Sequence, residues 1–252
     1  MAPWSVRYRW TPILMFHEIL PDTAAACSPY AATPAKLRVV LADFTRRGYT
    51  SGTLQDVIAP RRAKRLVVTF DDGTADFLDY ALPVLEEFSF SATLFVVAGA
   101  VGGRRGWTTR AGGPLRPVPL LAAADLRALA ARNFTIGSHT LTHRALTDLA
   151  PAQAEAEIRD SRARLTDLLG APVAWFAYPY VAVDAAIQAR VCAAGYAAAC
   201  GGYHQPNGRY NLTRLDAAVF TVAELRRRSS ALFHLTRGLL RRTRRIRMGA
   251  GK

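Results

Sequence analysis

Two short polar clusters in this 252-residue sequence combine side chains that can bind a metal ion and move protons. The first, Asp71-Asp72-Gly73, ends the apolar, β-branched run Leu66-Val67-Val68-Thr69-Phe70, which has the pattern of a buried parallel strand. Adjacent carboxylates at a strand end repel each other unless a cation or a shared proton compensates, and a metal ion is the simplest remedy. Alone, Asp-Asp-Gly would be an ordinary solvated turn. The second cluster changes that reading. Gly137-Ser138-His139-Thr140-Leu141-Thr142-His143 follows another short apolar strand, Phe134-Thr135-Ile136, and the four-residue spacing predicts a helical turn that points both imidazoles at one ion. Two histidines and one carboxylate form a facial triad suited to Zn²⁺; Co²⁺, Ni²⁺ and Fe²⁺ also match the donors.

The elements that must position these groups alternate along the chain. Residues 10–18 read as a first strand that terminates at His17, where by itself a histidine is more often a hydrogen-bonded structural residue. Leu37, Val40, Leu41 and Phe44 recur at helical spacing, with Gly48 as the stop. After the Asp-Asp-Gly turn, residues 77–88 predict a helix bent near Pro83, and Ala92 to Val97 is the next strand. The Gly-, Pro- and Arg-rich stretch from Gly99 to Pro119 is too broken to be an element; it reads as a substrate lid with Trp107 as a sugar-stacking face, or equally as a floppy insertion. Helices are predicted over Ala122 to Arg132, Pro151 to Leu169 and Val183 to Ala194. Strands are predicted over residues 173–178 and 196–200, and Asn211 to Leu215 completes the sheet. At least six strand-helix alternations imply mostly parallel strands closed or nearly closed into a barrel.

Half of the residues are hydrophobic, enough for one full core of the α/β-barrel size class and too few for a second complete domain. Cys27, Cys192 and Cys200 form no CxxC pair, which excludes a disulfide framework and a cysteine-rich zinc site. The apolar stretch Ile13 to Phe16 is too short for a secretory leader, and no apolar run reaches the roughly 20 residues of a membrane span. The net charge of +14 is concentrated late: residues 226–247 hold nine arginines and no acid, interleaved with leucines. Such a segment fits a basic amphipathic helix on anionic lipid, a polyanion contact or a solvated tail.

Together these motifs resemble the polysaccharide deacetylase superfamily, carbohydrate esterase family 4, over about residues 11–220. The shared pattern is Thr69-Phe70-Asp71-Asp72-Gly73, then His139-Thr140-Leu141-Thr142-His143, then the aromatic-Pro-Tyr turn Tyr178-Pro179-Tyr180. The resemblance implies an α/β fold, an irregular (β/α)₇ barrel of mostly parallel strands, as a single domain at 11–222 with a basic tail at 223–252. It implies that Asp72, His139 and His143 hold the metal, that Asp71 is the general base, and that the Tyr180 backbone N–H lines an oxyanion hole. The amino-terminal histidine is similar to that of the permuted branch containing poly-N-acetylglucosamine deacetylases, which makes His17 the candidate general acid and ranks His234, in Leu232-Phe233-His234, second. Two positions depart from the pattern: Ala177 stands where an arginine is usual and Val181 where a glycine is usual. Asp71 must therefore be oriented by something else.

The expected activity is metal-dependent removal of N-acetyl groups from an amino sugar or glycan, with zinc foremost and cobalt or nickel as alternatives. Other expectations are the same hydrolysis on a different amide or an O-acetyl ester, or an inactive barrel that binds glycans or membranes. The tail predicts a cytoplasmic protein held at the anionic inner membrane face through residues 225–247, acting on a lipid-linked or nascent glycan, with no specific nucleic acid as partner.

Overall fold

The computed structural model describes residues 11–25, 28–59, 63–203 and 207–230. The chain alternates strand and helix. The strands of the main sheet are β1 (Ile13–Phe16), β2 (Thr50–Gly52), β3 (Arg65–Phe70), β4 (Thr93–Val96), β5 (Thr135–Ser138), β6 (Trp175–Ala177), β7 (Ala198–Cys200) and β8 (Leu215–Asp216); a separate parallel pair joins Glu18–Ile19 to Ala31–Ala32. The helices of six residues or more are α1 (Pro34–Arg46), α2 (Leu82–Glu87), α3 (Ala123–Ala131), α4 (Pro151–Leu169), α5 (Ala185–Ala193) and α6 (Val222–Arg228), with shorter ones at Asp22–Ala25 and Leu54–Ile58. All eight strands form one parallel sheet in the order β8-β1-β3-β4-β5-β6-β7, with β2 beside the first half of β3. The segment before β8 curls the sheet nearly shut: Leu212 exchanges backbone hydrogen bonds with Ala199 and Gly201 beside β7, and three residues later the chain pairs with β1. This is the irregular parallel barrel of the sequence reading, with Asn211 to Leu215 as its closing segment.

Strand alternation divides the apolar residues into two cores. Leu14, Phe16, Leu66, Val68 and Phe70 point outward into a large layer shared with Leu37, Val40, Leu41 and Phe44 of α1 and with the other helices. Ile13, Val67, Phe95, Ala177, Ala198, Cys200 and Leu212 fill the barrel interior. Thr69 and Asp71, two and four residues beyond Val67, therefore fall on the inward row. Gly137 in β5 lets Phe95 cross the interior, since a Cβ there would lie 2.6 Å from its ring. The bend near Pro83 is a single π turn at Phe77–Ala81 that runs into α2.

Residues 99–121 contain no regular helix beyond one short turn, but they are not a floppy insertion. Gly102, Arg105, Leu120 and Leu121 join a narrow antiparallel ladder that lies across Gly73, so the loop is a hairpin rooted beside the Asp-Asp-Gly turn. At the other end, the boundary predicted at residue 223 falls inside α6, whose Leu225 is fully buried and whose Arg226 donates to Asp43 on α1. No helix among the described residues is long and apolar enough to cross a membrane. His234 and the arginines from 237 onward lie outside the described residues.

Candidate metal centre

Strand register brings the polar groups together. Phe16 pairs with Phe70, and Asp71 N–H donates to Phe16 O, so the next residues of β1 and β3 emerge side by side. His17 Nε2 consequently lies 4.0 Å from Asp71 Oδ2, its side chain 17% exposed. On the next strands Val96 pairs with Ser138, and His139 N–H donates to Val96 O, which fixes where His139 leaves the sheet. Its Nδ1 is 2.9 Å from Ala177 O. A carbonyl can only accept, so Nδ1 carries the proton and the Nε2 lone pair faces Asp72.

His143 reaches the same point by a different route from the one its spacing predicts. Residues 139–145 are not helical: Thr140 and His143 have φ of 67° and 63°, and the backbone folds back on itself. Two contacts hold this bend. Thr140 Oγ1 accepts from His143 N–H, and the Glu157 carboxylate of α4 accepts from the Leu141 and Thr142 N–H groups and from the Thr142 hydroxyl. A helical turn would have left those amides facing upstream carbonyls; the buried carboxylate offers stronger, charge-assisted acceptors. Asp72 and Tyr180 are also left-handed, at φ 73° and 56°, so three of the sequence-predicted site residues sit in strained backbone.

Asp72 Oδ1 lies 3.6 Å from His139 Nε2 and 3.2 Å from His143 Nε2, and the three ligand atoms all fall within 4.8 Å of one another. Asp72 Oδ1 is buried with no hydrogen-bond partner, a costly state for a carboxylate unless a cation fills the space between the three donors. Burial would raise the Asp72 carboxyl, yet the adjacent His143, His17 and His139 imidazoles outweigh it and hold it below the usual range. Burial pushes His139 down to about 4, so its imidazole is neutral and able to ligate. The donor set therefore fits a divalent metal.

Four contributors escaped the sequence reading. Glu157 is one. Arg214, fully buried, grips Asp71 with two parallel bonds, Nη1 to Oδ1 at 2.6 Å and Nη2 to Oδ2 at 2.7 Å. Burial alone would raise the Asp71 carboxyl; Arg214, with His139 and His17, more than reverses this and lowers it. Arg214 is thus the group that orients Asp71, which Ala177 cannot do. The remaining two are Glu18 and Arg105: Arg105 descends from the hairpin, donates to Glu18 Oε1 at 2.6 Å and lies 4.0 Å from Asp72 Oδ2. The available signal was charge inside apolar strand sequence, Leu212-Thr213-Arg214-Leu215 and His17-Glu18-Ile19, which demands a buried counter-ion. Above the centre, Trp107 stacks on His143 at a centroid distance of 4.5 Å, and Tyr180 meets the same ring edge-on. The Tyr180 N–H makes no hydrogen bond among the described residues.

A parallel barrel whose strand ends present a carboxylate and two imidazoles to one point, with a second carboxylate beside them, is an arrangement that can hold a metal ion next to a proton acceptor. The Polysaccharide deacetylase family model matches residues 59–199, more than half of the chain, and the chain belongs to that family. It is similar to YxkH of Bacillus subtilis (strain 168), which is named as a polysaccharide deacetylase, with 27% identity over 116 residues. That match spans 46% of this chain and only 37% of the relative. Among solved structures, a polysaccharide deacetylase from Bacillus cereus superposes with a TM-score of 0.72 at 21% identity, covering 88% of this chain and 70% of that one. The Streptococcus pyogenes deacetylase PplD, solved with acetate, superposes with a TM-score of 0.72 at 20% identity over 88% and 99% of the two chains. At these identities the superpositions establish the fold. His17 and Arg214 lie outside the span that the family model matches.

Proposed function

We propose that the chain is a metal-dependent hydrolase that removes N-acetyl groups from an amino sugar or glycan and releases acetate. The observation that carries this reading is the meeting of His17 and Asp71, 4.0 Å apart, beside the Asp72, His139 and His143 donors. A proton donor, a proton acceptor and a cation site are what amide hydrolysis needs, because hydroxide is scarce at neutral pH and an amine leaves poorly.

A divalent ion held by Asp72, His139 and His143, with zinc the first choice, would supply Lewis acidity toward a water and the acetyl carbonyl. Asp71, fixed by Arg214, accepts the proton that water loses as it attacks the acetyl carbon. The carbonyl oxygen gains negative charge and takes a hydrogen bond from the Tyr180 N–H, a contribution worth about 3 kcal/mol for a single donor. His17 gives a proton to the amine nitrogen as the C–N bond breaks. Acetate and the free amino sugar leave, Asp71 returns its proton to solvent, and His17 takes one up again.

The test is acetate release from a panel of N-acetylated sugars and O-acetylated xylan with added Zn²⁺, Co²⁺ or Ni²⁺. Release from the N-acetyl substrates is expected; release from the O-acetyl ester alone would transfer the same machinery to ester hydrolysis.

We also propose an anionic membrane surface as partner of the basic carboxyl-terminal sequence, in a cytoplasmic setting. The supporting observation is that α6 is clamped to α1 through Leu225 and the Arg226–Asp43 pair, which gives the arginine-rich sequence beyond residue 230 a fixed point of departure.

A further inference from the structure

Away from the metal centre, α1 and the segment that leads into α6 lie side by side on the outer layer of the barrel. Lys36 Nζ donates to Phe220 O at 2.9 Å, and two helical turns later Asp43 Oδ1 accepts from Arg226 Nε at 2.8 Å. Asp43 is buried and is shared by three guanidiniums, those of Arg226, of Arg46 at 3.5 Å and of Arg47 at 3.7 Å. One carboxylate cannot balance three guanidiniums, and Arg46 and Arg226 keep more than half of their side-chain surface in solvent. The exposed large hydrophobic side chains among the described residues are Val39, 54% exposed, and Val219, 66% exposed, and both belong to this face. Val39 follows Lys36 by three residues and precedes Asp43 by four, so it lies between the two contact points on α1; Val219 immediately precedes Phe220. From the end of α6 the chain runs on past Ser230 into the arginine-rich sequence.

We propose that this α1–α6 face lies directly on an anionic bilayer, with its surplus guanidiniums at lipid phosphates and its two valines in the headgroup layer. The inference rests on the membrane reading of the arginine-rich sequence for the other point of attachment. Its own grounds are charge and apolar surface in one place. Guanidiniums that outnumber their carboxylate match phosphate, which a planar fork holds well. Exposed valines gain from contact with a bilayer, whereas a soluble polyanion offers them nothing. The face carries too few charges to hold the protein alone. Once the tail is attached, however, the face meets the same surface at high effective concentration, so it decides which side of the barrel rests on the lipid.

The experiment measures sedimentation of the full chain with phosphatidylcholine vesicles that contain phosphatidylglycerol. Arg46→Gln is expected to lower the partition coefficient about five-fold, the worth of one basic residue at such a surface. Arg164→Gln, which removes the same charge from exposed surface on α4, a helix packed on α3 and α5, should change it less than about two-fold. The pair Val39→Ser with Val219→Ser should weaken vesicle binding at least about three-fold and leave retention on a heparin column unchanged. All of these side chains stand at the surface, so they can be replaced without unfolding the protein. Absence of binding by the full chain would dismiss the membrane for tail and face alike. Binding that Arg46→Gln and Arg164→Gln lower equally would leave the tail reading standing and overturn this face. Undiminished vesicle binding by the valine pair would assign the guanidiniums to a soluble polyanion and overturn the bilayer as their partner.

Discussion

Arg214 and Asp71 are 143 residues apart in sequence and form a fully buried, two-pronged ion pair across the barrel interior. Arg214 also donates to Thr69 Oγ1 and Gly201 O, so its fork is fixed at two further points besides the carboxylate. Losing one partner of such a pair strands the other, at about 3–5 kcal/mol. Arg214→Met should therefore lower the unfolding free energy by that order and cut kcat about 100-fold, through a displaced Asp71. Arg214→Lys should recover part of kcat but not all, because an ammonium cannot hold both oxygens. The double variant Asp71→Asn with Arg214→Met should regain stability without regaining turnover. Denaturant titration beside steady-state kinetics checks all three, and full kcat in Arg214→Met would remove the arginine from any role at the base.

Metal content reads out the triad directly. Wild type should take up about one Zn²⁺ per chain, and His139→Ala or His143→Ala should lose most of it, since two remaining donors seldom hold the ion. Elemental analysis after dialysis decides the matter; undiminished occupancy in both variants would place the ion elsewhere.

The two adjacent carboxylates should separate by role. Asp71→Asn keeps the shape of the side chain but cannot accept a proton, so metal stays and turnover falls by at least about 100-fold. Asp72→Asn should lose metal and turnover together. Equal metal loss in the two variants would make both residues ligands and leave the base unassigned.

Asp76 provides a pH signature outside the metal set. Burial, helped by Glu18, raises its carboxyl to about 6 from 3.8, against the opposing hydrogen bonds from Thr74 and the Ile19 N–H. Between those two values the folded chain holds a proton that the unfolded chain has released, so this contribution to stability falls as pH rises through about 6. Asp76→Asn cannot titrate. In metal-free protein its stability relative to wild type should grow between pH 4 and 7, by at most about 3 kcal/mol. Urea midpoints that run parallel across that range would show that the carboxyl titrates normally.

Vesicle sedimentation tests the tail. Each basic residue near an anionic surface contributes about 1 kcal/mol, so the arginines beyond residue 230 suffice for reversible attachment. Truncation after Ser230, which keeps α6 intact, should abolish sedimentation with anionic vesicles and leave the thermal midpoint unchanged. Equal binding to neutral vesicles, or binding that survives truncation, would dismiss the membrane as partner.

The sequence by itself determined whatever is written locally. Apolar runs broken by acid, histidine or glycine marked the ends of β1, β3 and β5, and 3.6-residue spacing located α1, α3 and α4, the last to the residue. The types of residue at those ends sufficed to name Asp71, Asp72, His139 and His143 as a group, because side chains that end parallel strands of one sheet share one rim, whereas His17 joined them only through the family resemblance. Only the tertiary structure decided which partners complete the group. Arg214, Glu18, Arg105 and Glu157 have no spacing that ties them to the motifs; they meet because register, sheet closure and the hairpin bring distant segments within hydrogen-bond reach. The path between His139 and His143 was decided there too. A four-residue spacing is compatible with a helical turn, but Glu157 on α4 captures the intervening amides, and a long-range acceptor overrode the local preference.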